Sequence, residues 1–180
     1  MIDRFIELLC CYVVSDFTVA GTAVSYLAQQ PITVAILKDT NMHAIKDSYR
    51  FGALFDGSAI AENALRKTAS MMADHDSLSV ITVIEQGITE EAVRAKTSEI
   101  LAGREHNIVI LHTEPNQTIK AAIKAYLVGQ AEDGMYVDFV SVGNKGLNSS
   151  GAAAGGGDDH LGSVARAMIS MRKLNVIFIP

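Results

Sequence analysis

Three glycines near the end of this 180-residue sequence have the spacing of an anion-binding loop. Gly143 and Gly146 follow the apolar run Val140-Ser141-Val142, and Gly162-Ser163 opens a stretch with helical periodicity. Glycines let a backbone approach a phosphate closely, and a helix N-terminus offers unpaired N–H groups and the positive end of its dipole. The pattern therefore predicts a cradle for a ligand that carries phosphate.

A second group with candidate chemistry is Asp56-Gly57-Ser58, which ends the apolar run 51–55. Ser58 is a good helix N-cap, and the Asp56 carboxylate either contacts a ligand or forms an Asx-turn with Ser58. Two further alternatives stay open. Gly143 and Gly146 are either anion-site glycines or plain turn glycines, and Lys145 either faces a phosphate or is a solvated lysine.

The elements that must position these groups alternate between strand and helix from about residue 48. Runs of β-branched and apolar residues predict five strands, at 51–55, 78–84, 107–112, 136–142 and 175–179. Apolar residues at helical spacing fill the gaps between them, with Thr89 as one candidate N-cap. This alternation predicts a parallel sheet with helices on both faces, in which Asp56 and Gly143 meet at one edge.

Composition excludes several other classes. Hydrophobic residues make up 49% of the chain and the net charge is −5, which supplies a core and disfavours nucleic-acid and acidic-membrane partners. The adjacent Cys10 and Cys11 are not a disulfide framework, and the five histidines share no ligand spacing. The charged apolar stretch 5–14 predicts a buried strand rather than a leader or a membrane span. We expect a cytoplasmic protein without a metal site of its own.

The motifs resemble, in their order along the chain, those of the universal stress protein family over roughly residues 46–180. This resemblance implies a doubly wound α/β fold, with a five-stranded parallel sheet in the order 3-2-1-4-5 and a homodimer paired through the edge of the last strand. In the nucleotide-binding branch of the family, the motif is Gly-x-x-Gly, then a spacer of nine residues, then Gly-Ser/Thr. This motif holds the phosphates and ribose of ATP, and the phosphates hold Mg²⁺ or Mn²⁺. The adenine meets backbone groups at the end of the second strand. The implied ATP contacts are Asp56, Gly57, Ser58, Val83, Ile84, Gly143, Lys145, Gly146, Gly162, Ser163 and Val164.

The sequence departs from the family pattern in two places. Fifteen residues rather than nine separate Gly146 from Gly162, and the acidic pair Asp158-Asp159 lies among them. About 45 residues also precede the first strand of the domain, and they repeat the order glycine, hydroxyl residue, helix and β-rich strand. We therefore expect residues 1–45 to form a degenerate half-repeat (strand, helix, strand) that packs on the last-strand edge of the domain formed by residues 46–180.

The combined expectation is an adenine-nucleotide-binding protein of stress response or regulation. Slow ATP hydrolysis is the most activity expected, because the sequence shows no nucleophile–base constellation, no P-loop and no Gly-x-Gly-x-x-Gly after the first strand. The alternative is a dimeric interaction module of the same fold that binds no nucleotide.

Overall fold

The computed structural model describes residues 11–13 (backbone only), 32–38, 46–84, 88–144 and 162–180. Seven strands and four helices lie in these ranges. The strands are β1 (Cys11–Val13), β2 (Val34–Leu37), β3 (Arg50–Leu54), β4 (Ser77–Ile84), β5 (Asn107–His112), β6 (Phe139–Gly143) and β7 (Asn175–Ile179). The helices are α1 (Ala59–Met71), α2 (Glu90–Leu101), α3 (Ile119–Glu132) and α4 (Ser163–Ser170).

All seven strands belong to one sheet, in the order β1-β2-β7-β6-β3-β4-β5. From β7 to β5 every neighbouring pair is parallel. Since β3 is the first strand of the main domain, this part of the sheet has the predicted order 3-2-1-4-5. The doubly wound α/β fold is therefore confirmed, and two further strands extend the sheet beyond β7.

Helices cover both faces of the sheet. Ala64 and Leu65 of α1 pack with Val93 of α2 on one face, while Ile123 of α3 and Met168 of α4 pack on the other. The predicted inner face of α2 is buried at all four positions, which are Val93, Thr97, Ile100 and Leu101. This arrangement follows from strands that are apolar on both sides, because such strands need cover on both faces.

Three of the described helices have side-chain N-caps. The hydroxyl oxygens of Ser58, Thr89 and Thr118 each accept a hydrogen bond from the backbone N–H three residues later. Each bond satisfies one of the unpaired N–H groups of a first helical turn. Gly162 is the N-cap of α4 and makes no such side-chain bond.

The N-terminal strands lie against the last strand of the domain. β2 pairs antiparallel with β7, with Ala35 opposite Ile177, and β1 pairs parallel with β2. The predicted helix between them, within residues 14–31, lies outside the described residues. Because β7 has β6 on one side and β2 on the other, its edge is not open here to the dimer that the family resemblance implies.

Lys38, just after β2, ties this N-terminal segment to α4. Its Nζ donates to the carbonyl oxygens of Met168, Ile169 and Met171, at 3.0 Å for Met171, and these groups lie at the C-terminal end of the helix. Its backbone N–H donates to the Asn175 side-chain oxygen at 2.8 Å. Burial lowers the pKa of Lys38 from 10.5 to about 8, so its charge changes near neutral pH.

This pKa predicts a stability that rises with pH. Between about pH 8 and pH 10.5 the unfolded chain binds a proton at Lys38 that the folded chain lacks, so the free energy of unfolding increases across this window. We expect about 1 kcal/mol, because solvent screening reduces the effect at a half-buried group. Urea unfolding of the wild type and of Lys38→Met at several pH values tests this. A difference between the two that stays constant from pH 7 to pH 10.5 contradicts the prediction.

Candidate functional site

The carboxyl ends of β3, β4 and β6 lie at one edge of the parallel sheet, and those predicted site residues that the structure describes lie at or beside this edge. Asp56, Gly57 and Ser58 connect β3 to α1, while Val83 and Ile84 end β4. Gly143 ends β6. The backbone N–H of Phe55 donates to the Ile81 carbonyl at 2.9 Å, which holds the end of β3 against β4.

The turn after β3 uses its polar side chains to hold its own shape. One carboxylate oxygen of Asp56 accepts the Ser58 N–H at 3.0 Å, and the Ser58 hydroxyl oxygen accepts the Ala61 N–H at 3.1 Å. Gly57 lies between them with φ 79°, a left-handed conformation that favours glycine. The Asx-turn that the sequence left open as one alternative for Asp56 is therefore present.

A backbone junction joins the two glycine motifs that the sequence separates. The Gly162 N–H donates to the Asn144 carbonyl at 2.7 Å, and the Asn144 N–H donates to the Ile179 carbonyl at 3.1 Å. The start of α4 thus lies directly beside the end of β6. Lys145 and Gly146, which the sequence also assigned to the site, lie outside the described residues.

The start of α4 is suited to an anion. Ser163 is exposed and Val164 is half-buried, and the N-cap residue Gly162 has no side chain with which to cap the first turn. Beside this turn, the Asn144 side-chain oxygen is buried without a hydrogen-bond partner. A helix N-terminus offers N–H groups to an anion, and an unsatisfied amide oxygen is a group that a polar ligand would satisfy. Sequence reasoning missed Asn144, although it is the first variable position of the Gly-x-x-Gly motif.

The Ile60 side chain packs directly on Gly143 at the end of β6. A Cβ atom built on Gly143 would lie 2.6 Å from the Cγ2 atom of Ile60, in the first turn of α1. Real Cβ atoms do not approach carbon this closely, so a larger residue at position 143 would force Ile60 or the backbone to shift. This packing role exists whether or not a ligand uses the same glycine.

The end of β4 is where the family resemblance implies that the adenine binds. Val83 is buried and Ile84 is half-buried. The preceding residue, Thr82, is 1% exposed, and its hydroxyl has no hydrogen-bond partner. Residues 85–87, which follow the strand, lie outside the described residues.

Among the described residues, no three His, Cys, Asp or Glu side chains lie close enough together to hold a metal ion. None of the four described helices is both long enough and apolar enough to cross a membrane.

Comparisons with known proteins agree with this architecture. No protein-family model and no curated protein matches the sequence. Among solved structures, the chain is similar to a universal stress protein in complex with cAMP, with 18% identity, a TM-score of 0.50 and coverage of 73% of this chain and 96% of that one. It is also similar to a universal stress protein from Archaeoglobus fulgidus DSM 4304, with 22% identity and a TM-score of 0.57. That match covers 85% of this chain and 51% of the archaeal chain, so this chain spans about half of its length. The fold is that of the universal stress proteins.

The contact between Gly143 and Ile60 gives a test of the packing role. We expect Gly143→Ala to lower the free energy of unfolding by about 1–3 kcal/mol, because the new methyl group overlaps the Ile60 side chain. In a chain with Ile60→Ala, which lacks that side chain, Gly143→Ala should lower the free energy of unfolding much less. Denaturant unfolding of both single variants and the double variant measures this coupling. Additive losses would show that the two residues do not compete for space.

Proposed function

We propose that this chain is a universal stress protein that binds an adenine nucleotide at the carboxyl edge of its sheet. The hydrogen bond between Gly162 and Asn144 carries the proposal, because it brings the two glycine motifs into one place. The cAMP complex of a protein with this fold supports an adenine nucleotide as the ligand class. ATP, with Mg²⁺ or Mn²⁺ held by its phosphates, is our choice within that class.

In this proposal each part of the edge has its own task. The first turn of α4, with Gly162, Ser163 and Val164, binds phosphate through its N–H groups, and Gly143, Lys145 and Gly146 complete the cradle. Asp56, which holds the turn before α1 with one carboxylate oxygen, contacts the ribose. The adenine lies at the end of β4, beside Val83 and Ile84. We expect binding with slow hydrolysis at most, in the cytoplasm.

The second candidate function is an interaction module that binds no nucleotide. Ile60 favours it, because its contact explains Gly143 without a ligand. The hydrogen bonds of Asp56 and Ser58 within their own turn favour it too, because they explain those residues structurally. The two candidates differ in one measurable property, which is whether a nucleotide stabilises the folded chain.

We also propose the domain organisation that the sequence predicts. The match to the archaeal protein covers 85% of 180 residues, about 153, whereas residues 46–180 number 135. It therefore extends into residues 1–45. Together with the pairing of β2 with β7, this supports residues 1–45 as a half-repeat beside a main domain of residues 46–180.

Thermal or chemical unfolding in the presence of nucleotide tests the binding proposal. ATP with Mg²⁺ at about 100 times its dissociation constant should add about 2.7 kcal/mol to the free energy of unfolding. Cyclic AMP, titrated in parallel, separates a site for a triphosphate from one for a monophosphate. If neither nucleotide stabilises the folded wild type, the interaction module is the better account.

Ser163→Asp separates the binding site from the fold. An acidic residue in the first turn of α4 should stabilise the helix by about 0.3–1 kcal/mol, yet it repels a phosphate at the same place. We expect at least about tenfold weaker ATP binding from a chain that unfolds no more easily. Ser48→Asp is the matched control, because Ser48 is an exposed serine just before β3, at the opposite edge of the sheet. Equal ATP affinities for the two variants would remove α4 from the proposed site.

A further inference from the structure

The end strand β5 presents an unusual edge. Among the described strands, β4 is its one neighbour, and they pair over six residues. All five residues of β7 are buried, whereas the four apolar side chains of β5 each keep part of their surface exposed. β5 contains no Lys, Arg, Asp, Glu or Pro, the residues with which natural proteins commonly protect a sheet edge.

The other described sheet edges offer less to a partner. β1 ends the opposite side of the sheet and is three residues long. β7 has both of its edges occupied, by β6 and by β2. A partner that extends this sheet therefore finds its longest edge at β5, where the ladder would have six residues.

The sequence around β5 is complementary to itself. When two copies pair antiparallel about a two-fold axis perpendicular to the sheet, each side chain stays on its own face of the sheet. The sequence numbers of two opposite residues therefore differ by an even number. Centring the axis on Val109 places Ile108 opposite Ile110 of the second copy. The same register brings Arg104, whose Nη1 also donates to the Ala73 carbonyl of its own chain, towards Glu114 on both sides of the axis, which pairs opposite charges.

The half-buried side chains of β5 fit this arrangement. Ile108 and Ile110 lie against the core on the α1 and α2 side of the sheet, and Val109 and Leu111 lie against the core on the other side. Pairing two copies of β5 would continue both cores across the axis. Apolar surface that is now exposed would then leave water on both faces at once.

We propose that β5 pairs antiparallel with β5 of a second copy of this chain, in the register centred on Val109. This contact joins two seven-stranded sheets into one and leaves β2 in place on β7. It is independent of nucleotide binding. The carboxyl edge of the sheet stays open, because a strand that joins β5 extends the sheet sideways.

Sedimentation of the full chain over a range of concentrations tests the proposal. We expect the wild type to dimerise, and Val109→Lys to weaken the dimer by about tenfold or more, because two ammonium groups would face each other at the axis. Val128→Lys is the matched control, since Val128 lies on α3 with 41% of its surface exposed, and it should leave the dimer unchanged. A wild type that stays monomeric at every concentration overturns the proposal.

Cross-linking tests the register and does not depend on how well Val109→Lys folds. In a chain with Cys10→Ser and Cys11→Ser, oxidation should join two copies of Val109→Cys by a disulfide bond. The Cα atoms of opposite residues in an antiparallel pair lie about 4.5–5.5 Å apart, which a disulfide bond can span. Ile108→Cys should not link, because its counterpart is two residues further along the partner strand. A dimer in which Val109→Cys fails to link, or links no better than Ile108→Cys, uses another surface or register and also overturns the proposal.

Discussion

One backbone hydrogen bond, from the Gly162 N–H to the Asn144 carbonyl, fixes the geometry on which the proposed site depends. This bond holds the start of α4 beside the end of β6. The Asn144 N–H extends this contact to the last residue of β7. Without this junction, the glycine motifs would be two separate turns. With it, the first turn of α4 lies beside the Asn144 side-chain oxygen, which is buried without a hydrogen-bond partner.

The same edge of the sheet shows how a glycine can serve packing and binding together. Gly143 leaves room for the Ile60 side chain, which anchors the first turn of α1 against β6. Asp56 similarly holds the turn before α1 with one of its carboxylate oxygens. These contacts set the positions of two helix starts around the end of β6. A rigid surround of this kind lowers the cost of ordering a site when a ligand arrives.

The N-terminal strands change which surfaces of the domain are available. β2 covers the edge of β7, and Lys38 secures it by donating to carbonyl groups at the end of α4 that the helix leaves unpaired. The Asn175 side chain continues the connection, because it accepts from the Lys38 backbone and donates to the Asp138 carbonyl at 3.0 Å. The segment is therefore part of the sheet, and the strand edge with the longest free ladder is on the far side, at β5.

Local patterns in the sequence determined the elements and their order. The runs of apolar and β-branched residues at 107–112 and 175–179 predicted β5 and β7 to the residue, and helical spacing predicted the inner face of α2. β6 begins at Phe139, three residues later than predicted. Tyr136 before it is instead exposed and bonded to Lys46, a contact between residues 90 positions apart. Only the tertiary structure determined contacts of this kind. They include the contact of Ile60 with Gly143, the burial of the Asn144 side-chain oxygen without a partner, and the hydrogen bonds from Lys38 to carbonyl groups of α4. Each depends on distances between chain segments that periodicity and residue preference do not encode.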